Sequence, residues 1–197
     1  CNNIVLARAT STLSGVEKSA LPIFQDAMIG DGFIDVPLDQ DEVLRRIQFF
    51  NARPLADGSL QLLPSFALEL ARSYLFLEYL LDFSDEDQFV LGSPQGDHIS
   101  LPYPDLLINY SGDFSSFAQI SFADAVNNNF TQDQVKGKLV IIGSSLVTDK
   151  DYYTTPFSRA GLIATSVQEK LGHIVSDVLG QKEYGMACQA HAVETIL

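Results

Sequence analysis

Unbroken β-rich apolar runs alternate with helically spaced ones along the chain, a pattern that predicts an α/β fold. Ile4-Val5-Leu6-Ala7, Leu106-Leu107-Ile108-Asn109-Tyr110 and Leu139-Val140-Ile141-Ile142 read as buried central strands. Phe33-Ile34-Asp35-Val36 and residues 44–50 read as two more, joined by the acidic turn 37–42. Phe89-Val90-Leu91 and His98-Ile99-Ser100-Leu101 read as a strand pair around 93–97. The clearest helix starts at Ser65, an N-cap after Pro64, with Phe66, Leu70, Tyr74, Leu77 and Leu81 at helical spacing. Shorter helices are expected from Pro22, ended by Gly30-Asp31-Gly32, and over 121–126, with longer ones over 162–179 and 187–197. Residues 51–61 read as a loop carrying the turn Asp57-Gly58, and Lys136-Gly137-Lys138 as another turn. The fold class expected is a mixed, largely central-parallel sheet with helices packed on its faces.

Composition narrows the function. With 46% hydrophobic residues over 197 positions the chain can build a core, which excludes a disordered tail. Asp and Glu number 25 against 12 Lys and Arg, a net charge of −13, which repels nucleic acid and anionic lipid alike. The most apolar run, 75–81, is broken by Glu78 and far short of the ~20 residues of a membrane span. Any membrane attachment is therefore expected through flanking segments. Cys1 and Cys188 fit two unpaired thiols, or one bridge in an oxidising compartment, or, for Cys1, the acylated start of a lipoprotein.

No candidate chemistry is complete. Asp39-Gln40-Asp41 resembles the start of a calcium loop, but Val43 and Leu44 stand where a ligand and a glycine are needed. A solvated turn is expected instead, with Arg45 in a structural ion pair with Asp39 and Asp41. Gly143-Ser144-Ser145 follows a strand-like run and could cradle a phosphate, with Asp149 and Asp151 beside it. That alternative reading is a soluble α/β nucleotide- or phosphate-binding enzyme. Neither Gly-x-Gly-x-x-Gly nor Gly-x-Ser-x-Gly is present to support it. His98, His173 and His191 form no metal motif, and Cys188 with His191 supplies only two ligands. No metal and no cofactor are expected. Open α/β sheets bind ligands at the carboxyl edge, so the loops after Tyr110 and Ile142 make Asn109, Tyr110, Ser144, Ser145 and Asp151 the ligand-binding candidates.

Six segments in order resemble one family. They are Gly32-Phe33-Ile34-Asp35-Val36 followed by Asp39, Asp41 and Arg45-Arg46; Pro64-Ser65-Phe66-Ala67; Leu107-Ile108-Asn109-Tyr110-Ser111-Gly112; residues 136–145; Asp151 with Thr155-Pro156; and residues 185–192. Together they resemble the type-two CHASE domain, an extracytoplasmic sensory module of bacterial membrane receptors. Glu42 departs from that pattern where the family has Gly. The resemblance implies one sensor domain over 1–197, lacking the family's N-terminal third, with 159–184 as an insertion. It further implies a periplasmic or extracellular location, a small-molecule or protein signal, a homodimeric parent, and a cytoplasmic cyclase or kinase output. A missing third would leave an unpaired sheet edge beside Ile4-Val5-Leu6-Ala7.

Overall fold

The computed structural model describes residues 3–10, 17–18, 20–55, 57–80, 88–149, 151–158 and 182–197. The helix expected over 162–179, most of the expected insertion and Cys1 lie outside them. The chain divides into two compact units, Cys1–Asn109 with Ala192–Leu197, and Tyr110–His191.

The first unit opens with β1 (Ile4–Thr10), β2 (Glu17–Lys18) and β3 (Met28–Phe33) in the order β2-β1-β3. β1 and β3 run parallel, Val5 opposite Gly30 and Ala7 opposite Gly32, while β2 meets β1 only at Ala9 and Thr10. Gly30-Asp31-Gly32 thus lies inside a strand and ends no helix; the turn from Pro22 is a 3-10 turn, Pro22–Phe24. Close packing explains the glycines. Helix α1 (Phe66–Tyr74) lies on β1 and β3, and a Cβ on Gly32 would sit 2.5 Å from the Phe66 Cα. A Cβ on Gly30 would strike the Glu69 carboxylate. Asp31 between them accepts the Arg8 guanidinium from the neighbouring strand.

The region 44–50 is divided between β4 (Arg46–Gln48) and β5 (Phe50–Pro54), and β5 pairs with β6 (Leu60–Pro64). The expected loop over 51–61 is therefore largely a hairpin. Its tip is the Asp57-Gly58 turn, where Asp57 Oδ1 accepts Ser59 N at 2.9 Å and Gly58 has φ +84°. β7 (Glu78–Leu80), β8 (Gln88–Gly92) and β9 (His98–Pro102) form an antiparallel meander, with the expected turn between the last two. β10 (Asp105–Leu107) pairs antiparallel with β4, so the run 106–110 is a short edge ladder and no central parallel strand. The core is built on Phe49, Phe50 and Phe89, whose rings meet edge-to-face at 4.9 and 5.1 Å, with Leu44, Leu68 and Leu91 around them. Glu69 is buried here, bonded by Arg72 Nε at 2.9 Å and by the Tyr79 hydroxyl at 2.6 Å. Arg45 Nη1 donates to Asp39 at 2.7 Å and to Asp41 at 2.8 Å, closing the acidic turn.

The second unit holds α2 (Phe122–Val126), α3 (Gln132–Val135), the ladder of β11 (Tyr152–Tyr153) with β12 (Glu183–Tyr184), and helix α4 (Gly185–Ile196) as far as His191. The run 139–142 is not a strand, and Ile142 is 85% exposed. Among the described residues the one parallel ladder is β1 with β3; the expected central parallel sheet is replaced by several small, mostly antiparallel ones.

Candidate functional site

The second unit gathers its polar chemistry around the start of α4. Gly185 opens that helix, its N–H bonded to the Asp151 carbonyl at 3.0 Å. The Asp151 carboxylate occupies the space over the Gly185 Cα that any side chain would need. An anion at this end complements the helix dipole. Burial pushes the Asp151 carboxyl above its ordinary range, while the Tyr153 hydroxyl pulls the other way.

The Gly143-Ser144-Ser145 turn approaches the next residue of the same helix. A Cβ on Gly143 would lie 2.6 Å from the Met186 Cβ, so the thioether side chain fills the face on which a phosphate cradle would open. Ser144 Oγ accepts Leu146 N at 3.1 Å, tightening the turn, and Ser145 is exposed. One turn along α4, the Tyr110 hydroxyl shares a hydrogen bond with the buried Cys188 thiol. Burial raises both groups, the thiol to about 12, so it stays protonated and unreactive at neutral pH. The Tyr110 ring also packs on the fully buried His191 at 5.1 Å, as does Phe117 at 4.6 Å. Asn109 belongs to the first unit, where its N–H donates to Thr195 Oγ1 at 2.9 Å. Tyr110 and Asp151 thus meet the first turns of α4, and Ser144 and Ser145 follow the glycine that packs on Met186.

A groove of about 480 Å³ lies elsewhere in the same unit. One side is the turn 112–116. Asp113 caps it, Oδ1 accepting both the Ser115 N–H at 2.9 Å and its hydroxyl, which holds this carboxyl low. Phe114 N, from the same turn, donates to Glu183 Oε2 at 2.9 Å, and Tyr184 N donates to Oε1 at 3.2 Å. Glu183 is only 6% exposed, and burial, reinforced by Asp113, raises its carboxyl. Opposite stand the hydroxyls of Thr155 and Ser158, 3.2 Å apart, with Thr155 accepting Ser158 N at the start of a helical turn. Lys182 lines the groove, its Nζ 4.9 Å from the Tyr152 ring centroid.

Sequence reasoning points to one wall of this groove, the loop after Tyr110, but names none of its residues as a ligand site, because the other walls come from separated segments that no motif ties together. Two local signals were present: Asp113-x-Ser115 as a capped turn, and Thr155-Pro156 as an N-cap followed by proline. Among the described residues no cluster of His, Cys, Asp or Glu could hold a metal ion, and no helix is long and apolar enough to cross a membrane.

The family model of the CHASE2 domain matches residues 3–197, and the chain belongs to that family of extracellular sensory, non-catalytic domains. No curated protein and no solved structure matches it.

Proposed function

We propose that this chain is the extracytoplasmic sensing module of a transmembrane receptor, which relays to a cytoplasmic cyclase or kinase and acts as a homodimer. The chain performs no catalysis of its own. One observation carries the reading beyond the family: Glu183 lines the groove and lies two positions before the first residue of α4. A ligand in the groove changes the hydrogen bonds of Glu183, and through them the start of the C-terminal helix. Asp151 and Met186 hold that start in place, so it has a defined position to leave.

The test uses the full-length receptor in membranes. Gly185→Val drives a side chain into the Asp151 carboxylate and displaces the first turn of α4. The expected result is a changed basal cyclase or kinase output at unchanged receptor abundance. Output equal to that of the native receptor, with α4 shown to be displaced, would overturn the reading.

A further inference from the structure

This inference rests on the sensory reading and names the ligand. We propose that the groove of the second unit binds a small zwitterion of the amino-acid or betaine type. Its cationic group lies at Asp113 and Glu183, and its anionic group at Lys182 and the Ser158 hydroxyl.

Charge and size select this ligand class. The cavity of about 480 Å³ falls within the range of small-molecule sites and exceeds what an amino acid fills. Two carboxylates, Asp113 and Glu183, line it within electrostatic reach of each other. Glu183 is buried and Asp113 exposed at the rim, and two like charges facing one groove favour a cation between them. Glu183 already accepts two backbone N–H groups, yet each carboxylate oxygen retains a second lone pair for a ligand ammonium. Lys182 makes a purely cationic ligand a poor fit, because it adds a like charge to the same cavity. A neutral polyol would leave all three charges uncompensated. A zwitterion matches both signs, and the Ser158 hydroxyl, which exchanges a hydrogen bond with Thr155 in either direction, can donate to its carboxylate beside Lys182.

The site also explains how occupancy is reported. A ligand cation on the second lone pairs of Glu183 shares its oxygens with Phe114 N and Tyr184 N and weakens both bonds. The turn 112–116 and the start of α4 are then tied less firmly through that carboxylate.

Titration calorimetry and thermal unfolding of this chain test the proposal, with glycine betaine and the common amino acids as zwitterions, glucose as neutral polyol and putrescine as cation. At about a hundredfold excess over Kd, a binding zwitterion should raise Tm by about 5 °C. Lys182→Ala, at an exposed position, and Asp113→Asn, which keeps the cap on Ser115, should each weaken binding at least tenfold. Neither should shift the Tm of the unliganded chain by more than about 2 °C. Binding of glucose or putrescine alone, no binding at all, or a zwitterion affinity indifferent to both variants would overturn the proposal. Altered receptor output in Gly185→Val alongside any of those results would leave the sensory reading standing without this ligand.

Discussion

Gly32 and Gly58 show how differently two glycines are constrained. Alanine at Gly32 places a methyl against the α1 backbone, which cannot swing aside, and should cost about 2–3 kcal/mol in urea unfolding. Gly58 has open space around its Cα and only a left-handed backbone, so Gly58→Ala should cost about 1 kcal/mol. Equal costs would contradict the packing of α1 on β3. Arg72→Ala leaves the buried Glu69 with Tyr79 and no cation, and should destabilise by about 3 kcal/mol. The carboxyls of Asp151 and Glu183 carry a pH signature. Burial raises both in the folded chain, so the folded state holds their protons to higher pH than the unfolded state does. Their stabilising contribution is complete below the ordinary carboxylate range and is lost as pH rises through the folded values. Asp57 and Asp113, held low by Ser59 and Ser115, push the other way. The difference in Tm between the native chain and Asp151→Asn should therefore move in the variant's favour from about pH 4 to 7. A difference that stays flat would show that Asp151 is not shifted by burial.

At the scale of elements, the sequence pattern was legible where local chemistry and packing agree. Ser65 is an N-cap as the sequence predicts, its Oγ accepting Leu68 N at 3.3 Å, and Ser121 caps α2 in the same way at 3.0 Å. The end of α1 was not legible. The periodicity continues to Leu81, but the helix closes at Tyr74 through Leu77 N to Arg72 O, with Phe76 at φ +56° in the position that normally takes glycine. No residue type signalled the stop. Phe76 is 86% exposed, so Phe76→Gly removes strain and little packing, and should stabilise the chain by about 0.5–1 kcal/mol, read as a higher urea midpoint. A lower midpoint would mean that the aromatic ring contributes contacts outweighing its backbone strain. The runs 106–110 and 139–142 mislead for a different reason. Apolar continuity measures burial potential, and tertiary context decides pairing: Leu106 joins a two-stranded antiparallel ladder, while 139–142 alternates half-buried and exposed positions outside any ladder. Gly30 and Gly32 look like breakers in the sequence because glycine in a strand and glycine in a turn look alike until the helix above is placed.

At the scale of the molecule, membership of a sensory family and the lack of a catalytic constellation among the described residues direct attention to binding and transmission. The ordered motifs were legible as a family, because each fixes a local turn, cap or close approach: Ser65 caps, Gly143 and Gly185 admit neighbours, and Arg45 closes the acidic turn. The groove was not legible, since its charges converge only once β11 and β12 bring Thr155 and Glu183 beside the turn at Asp113. The most direct test of the account is the output of the full-length receptor in membrane vesicles, measured against increasing concentrations of the zwitterions that bind this chain. The account predicts a saturable change in output, with its midpoint moved at least tenfold by Lys182→Ala. Output indifferent to every zwitterion that binds the chain would contradict it.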